Sequence, residues 1–216
     1  MTVEVFSDVV CPFCYIGKRH LETALAELGL AHAEVRYRSF ELDPSLADSD
    51  LGSPSTAHLA AKKGLSVADA ERMTQAVAYR ASQVGIPMDF SRAKVLRTRD
   101  AHRLLQWART QSLEQAAKLK EELMNDYFCR GVDLNERGAL AAAAERAGLE
   151  RAGALDVLDR PEAFRAEVEA DLAYAQRLNV RGVPFFVFNQ RVGLSGAHSV
   201  ETFKSAMKES LQSATE

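Results

Sequence analysis

The chain reads as an α/β protein whose sheet-forming ends enclose a long, all-helical middle, and three observations lead to that class. Short runs at Val3-Glu4-Val5-Phe6, 34–40 and Phe185-Phe186-Val187-Phe188 are β-branched or aromatic and have the length of strands. Between residues 43 and 179 the apolar spacing is that of helices alone, with no convincing strand. No period of 20–50 residues repeats, so the helical stretch is an insertion and not a solenoid.

In chain order, the first strand runs into Val9-Val10-Cys11-Pro12-Phe13-Cys14-Tyr15. A helical pattern follows from Ile16 to Leu28, with Leu21, Leu25 and Leu28 on one face and Lys18, Arg19 and Glu22 on the other. Gly29 supplies the stop. Residues 34–40 alternate as a half-buried strand does, so the first forty residues read strand, helix, strand. Such a unit has parallel strands and a right-handed crossover, which puts the loop bearing Cys11 at a carboxyl end. Gly52 and Pro54 mark a loop. Helices are then predicted at 56–63, 66–85, 99–111, 113–128, 135–148 and 161–179. Ser66 and Asn135 serve as N-caps, Gly85-Ile86-Pro87 as a stop, and Pro161 opens the last of these helices. After Val180 the apolar strand 185–188 turns at Asn189-Gln190 into a short return strand, 192–194. Ser199 caps a closing helix, 200–211, with Val200, Phe203, Met207 and Leu211 on one face. The expected division is a sheet domain from 1–42 and 180–216, an insertion from 43–179, and helix 161–179 as connector.

Composition narrows the function. The 216 residues are 47% hydrophobic and 26% charged, with a net charge of −3 and no block of like charges. No basic stripe with interleaved aromatics speaks for nucleic acid, and no apolar run speaks for a membrane span. The N-terminus reads straight into a strand, without the basic and apolar regions of a secretory leader. Three cysteines are too few for a disulfide scaffold, so the expected compartment is the reducing cytoplasm.

The chemistry concentrates at Cys11 and Cys14. A C-x-x-C at a strand-to-helix junction puts both sulfurs on one side of the first helical turn, close enough to bridge. Cys11 falls at the helix start, where unpaired N–H groups and the helix dipole favour a thiolate, and Pro12 suits the first helical position. This asymmetry makes Cys11 the nucleophile and Cys14 the resolving thiol. Zinc needs two further ligands, and none stands at a compatible spacing, so no metal is expected. A structural disulfide across so short a loop stabilises little. Cys129 reads as an inert free thiol, Trp107 and Tyr127 as packing residues, and His20, His32 and His58 as solvated.

The order of these parts resembles the thioredoxin fold with the helical insertion of DsbA-family proteins, and more closely the FrnE-like oxidoreductases. The blocks that carry the resemblance are 7–17 around the cysteines, Phe40-Glu41-Leu42-Asp43-Pro44, Ala101-His102-Arg103-Leu104-Leu105, Tyr127-Phe128 with Gly131, and Gly182-Val183-Pro184-Phe185-Phe186-Val187. The resemblance implies a cis proline at Pro184 facing the two cysteines, with Val183 positioning the substrate sulfur. It further implies substrate contacts from Pro12, Phe13, His102 and His198. The activity it implies is thiol–disulfide exchange: reductase, oxidase or isomerase. Protein or small-molecule thiols and disulfides would be the substrates, and a reductase or oxidase the recycling partner. No cofactor is needed beyond the Cys11–Cys14 disulfide, with glutathione as a candidate exchange partner. Phe13 stands where relatives often carry Trp or His between the cysteines, so no imidazole supports the thiolate. The buried acid that some relatives place under the disulfide has no certain equivalent, because Glu4 faces either side of its strand and Asp8 reads as a loop or capping residue. The alternative function is a glutathione-dependent isomerase or transferase of the kappa-class-like group, whose members generally have Ser at the place of Cys11. A non-catalytic redox switch is a third reading.

Overall fold

The computed structural model describes residues 1–212. Strand β1 (Thr2–Ser7) leads into helix α1 (Pro12–Glu27), and strand β2 (Glu34–Ser39) returns parallel to β1. The helical segment holds α2 (Ser55–Lys63), α3 (Val67–Ser82), α4 (Arg99–Gln111), α5 (Leu113–Asn125), α6 (Arg137–Arg146), α7 (Arg151–Asp159) and α8 (Arg165–Arg177). Strands β3 (Phe185–Phe188) and β4 (Val192–Ser195) form the hairpin, and α9 (Val200–Gln212) closes the fold. The sheet order is β2-β1-β3-β4, with β3 antiparallel to both β1 and β4.

Alternation along β1 decides which layer each side chain enters. Val3 and Val5 pack with Leu21, Leu25 and Phe203 from α1 and α9 on one face. Phe6 packs with Ala175 and Val180 on the other, where Phe6 and Tyr174 rings stand 5.5 Å apart. Glu4 shares that second face: it is buried and accepts hydrogen bonds from Arg38 and from the Tyr174 hydroxyl. The amino-terminal half of α1 leaves the sheet core and packs into the insertion, since Cys14, Tyr15 and Ile16 share a cluster with Leu104, Leu119 and Phe128.

Three helical expectations need correction. Helix α7 has no counterpart in the sequence pattern, because nine residues interrupted by Gly153 give a weak helical signal. The glycine is there because the Trp107 ring lies 2.7 Å from where a Cβ would sit, so only Gly lets α7 cross α4. Pro161 does not open a helix, since α8 begins at Arg165, preceded by Phe164 with φ 59°. The guanidinium of the buried Arg103 takes the carbonyls of Val157, Arg160 and Ala163, and these bonds hold the intervening turns against helix formation. The helix expected at 113–128 is α5 followed by a π-turn at Asp126–Arg130.

Candidate active site

Cys11 is the N-cap residue of α1 and Pro12 occupies the first helical position. The helix ends its approach to the sheet through Gly17, whose missing Cβ would stand 3.1 Å from Phe186 and 3.2 Å from Pro184. That close contact brings the Val183–Pro184 segment, whose peptide bond is cis, against the start of α1. The Cys11 thiol donates to the Val183 carbonyl at 3.4 Å. Cys11 and Cys14 are both free thiols and nearly equally buried, at 4% and 3% exposure, so the expected difference in exposure is absent by area. They differ in what they face. Cys11 lines a cavity of about 450 Å³ together with Pro12, Phe13 and Val183, and Cys14 does not.

The cavity lies between the redox loop and the helical segment. Its walls are mostly apolar, from Val10 and Phe13 on one side to Leu59, Val77, Phe90 and Phe128 on the other. Phe90 and Phe128 meet edge-on at 5.6 Å, and the exposed Arg80 guanidinium caps the Phe13 ring at 5.3 Å. His58, for which the sequence predicts a solvated ring, lines this cavity beside Asp43, with Lys62 held on the same carboxylate. Its Nε2 is 3.4 Å from Asp43, and the Lys62 ammonium is 2.5 Å from it.

Beneath the cysteines the side chains are charged. Asp8 is fully buried and accepts from the Leu42 amide at 2.8 Å and the Thr98 hydroxyl at 3.3 Å, with His102 Nε2 at 3.3 Å. It is therefore a buried carboxylate under the redox loop and not a capping residue. Burial pushes its carboxyl up, but His102 and the Leu42 amide outweigh burial and hold it below the ordinary carboxylate range. Burial also pushes the Cys14 thiol well above the ordinary range, and the neighbouring Cys11 sulfur adds to the effect. Lys120, on α5, is 1% exposed and lies within electrostatic reach of Cys14, Asp8 and Cys11. Burial pulls its amine below the ordinary lysine range.

Of the residues predicted around the thiols, Pro12, Phe13 and Val183 meet at the cavity, and Pro184 is buried behind it against Gly17. His102 and His198 do not line it. His102 is 1% exposed and spends its contact on Asp8. His198 is exposed and bonds to the Ser195 carbonyl at 2.8 Å. Both belong to the framework because each ring nitrogen in contact is held by protein. Glu4 is turned to the far face of the sheet. Lys120 lies outside the sequence-based expectation, although the pattern carries a signal: it stands at the apolar spacing of Ala116, Leu123 and Tyr127, a charge on the inward stripe. Cys129 is half-buried in the π-turn, and burial raises its thiol. Among the described residues no cluster of side chains is arranged to hold a metal ion, and no helix is long and apolar enough to cross a membrane.

A family model described as the DSBA-like thioredoxin domain matches residues 2–208. No curated protein matches the chain. The crystal structure of the probable DsbA oxidoreductase SCO1869 from Streptomyces coelicolor is 34% identical over 100% of this chain and 92% of its own, with a TM-score of 0.93. Cytosolic disulfide reductase DsbM from Pseudomonas aeruginosa has a TM-score of 0.67 at 17% identity, covering 98% of this chain and 99% of that one. A 2-hydroxychromene-2-carboxylate isomerase has a TM-score of 0.69 at 19% identity, covering 99% and 98%. The last two likenesses are of fold.

Proposed function

The chain belongs to the DSBA-like thioredoxin family, and from that premise we propose that it catalyses thiol–disulfide exchange with Cys11 as nucleophile and Cys14 as resolving thiol. The observation that carries this reading is the placement of Cys11 at the helix start, its sulfur on the Val183 carbonyl and its open side on the cavity. Attack of the Cys11 thiolate on a substrate disulfide forms a mixed disulfide and releases one substrate thiol. Cys14 then attacks the Cys11 sulfur, the Cys11–Cys14 bond forms, and the second substrate thiol leaves. The substrate gains two electrons and the enzyme dithiol is oxidised; run backwards, the same steps oxidise a dithiol. Val183 and the wall formed by Pro12 and Phe13 orient the substrate sulfur.

The route to Cys11 is a bounded, largely apolar cavity, which favours small disulfides or one extended segment of chain over a globular surface. Glutathione is a candidate exchange partner, and the neighbour DsbM has also been solved with GSH. Assignment to the FrnE-like branch rests on the sequence blocks alone. The three-cysteine composition supports work in a reducing compartment, recycled by a reductase or oxidase. Cys11 itself weighs against the isomerase alternative. The test is insulin reduction and refolding of a scrambled protein by the wild type and by Cys11→Ser. The variant is expected at background, and equal activity in the two would end the proposal.

A further inference from the structure

We propose that Lys120 is the internal base that takes the Cys14 proton when the mixed disulfide is resolved. The inference rests on the exchange reading above and deepens it. Cys14 must lose a proton before it attacks, yet it is 3% exposed and does not line the cavity that Cys11 faces, so bulk water does not reach it directly.

The titratable groups on its buried side are few. From the loop comes Cys11, with the Asp8 carboxylate within reach of Lys120 behind it; from α5 comes Lys120, and the half-buried Tyr37 on β2 adds a phenol. His102, on α4, touches the group only through Asp8. Asp8 is a poor acceptor because its oxygens already take the Leu42 and Thr98 donors and it stays ionised. The Tyr37 phenol is a donor, not a base, since burial pushes it up. Lys120 alone is built as a base. Its amine makes no hydrogen bond, and neighbouring Glu121 does not meet it, being clasped by Tyr15, Lys18 and Arg19.

An ammonium with three unmet donors in such a place is costly, so burial favours the neutral amine with its free lone pair. When Cys14 becomes a thiolate the cost reverses, because the ammonium and the thiolate arise together and stabilise each other. The steps balance. The proton passes from Cys14 to the Lys120 amine, the Cys14 thiolate forms a bond to the Cys11 sulfur, and the substrate thiolate leaves with the electron pair of the broken bond. The Lys120 proton is returned to that thiolate or to solvent.

The experiment is rapid mixing of the reduced protein with an aromatic bis(nitrobenzoate) disulfide, whose released thiolate is coloured. The first burst reports Cys11 attack and the second reports resolution, and Cys14→Ser identifies the second by abolishing it. In Lys120→Met the second phase is expected to slow about tenfold or more relative to the first at neutral pH. The deficit should shrink as pH rises and hydroxide takes the proton. Lys120→His should recover part of the rate with a shifted pH profile, which a merely structural lysine would not give. Thermal unfolding supplies an independent sign: replacing an unpartnered buried amine by Met should raise the melting temperature. A second phase unchanged in both Lys120→Met and Lys120→Gln, or a lowered melting temperature in Lys120→Met, overturns the proposal. Should Lys120→Met fail to fold, that too counts against it, and Lys120→Gln carries the kinetic arm. Absence of both bursts in the wild type would instead overturn the exchange reading, and this proposal with it.

Discussion

Two buried polar clusters, one beside β1 and one beneath the cysteines past its end, are built on opposite plans. On the α8 side, Arg38 bridges Glu4 and Asp171, and the Asp171 carboxylate also takes the Ser39 amide at 2.9 Å and the Gln106 amide at 2.6 Å. Every charge there has a partner, and the cluster ties the sheet to α4 and α8. Under the cysteines, Asp8 is satisfied but Lys120 Nζ and His102 Nδ1 have no partner. Buried charge is costly wherever it is left alone. The fold meets this demand in the first cluster and leaves it unmet in the second, which is the arrangement expected of a place where charge changes during function.

The comparison can be broken most directly on the paired side. Asp171→Leu leaves the Ser39 amide without an acceptor, removes one of the two acceptors of the Gln106 amide and strips one partner from Arg38, so a loss of about 3–5 kcal/mol is expected in urea unfolding. The two bursts of thiolate release should keep their rates under native conditions, because no part of this cluster lines the cavity. A destabilisation below about 1 kcal/mol would show that the pairing contributes little.

Acid unfolding sharpens the comparison on the other side. A carboxyl held below its unfolded value contributes stability that is complete above the unfolded pKa of about 3.9 and is lost as pH falls through the lower folded value. The wild type should therefore lose stability on acidification below about pH 4, and Asp8→Asn should lose less over the same window. Equal slopes in urea titrations from neutral to acid pH would remove Asp8 from that account. The smallest effect concerns the cavity rim. Arg80→Ala removes an exposed cation from the Phe13 ring, an interaction of about 0.5–1 kcal/mol, so KM for a small disulfide should change by about two- to fivefold with kcat nearly constant.

How far the sequence reaches is clearest at particular residues. The Cys11–Cys14 spacing, the strand before it and Pro12 after it are local signals, and the helix start they predict is where the structure has it. The parallel β1–β2 pair and the closing hairpin were legible for the same reason, since periodicity and turn residues act over a few positions. Helix α7 was not, because Gly153 is chosen by the Trp107 ring across the interface and not by its own neighbours. The turn at Pro161 departs from its helical sequence pattern because Arg103, about sixty residues upstream, binds its carbonyls.

The site divides in the same way. The sequence alone determined that two thiols share one helical turn, that a Val-Pro pair lies far along the chain, and that a helical insertion separates them. Only tertiary structure decided that His58 faces the cavity while His102 and His198 do not, that Glu4 turns from the cysteines, and that Asp8 and Lys120 lie beneath them. Spacing along a chain fixes which residues can share a face. What lies opposite that face, and whether water reaches it, is set by elements a hundred residues away, and burial by those elements is what turns a lysine into a base.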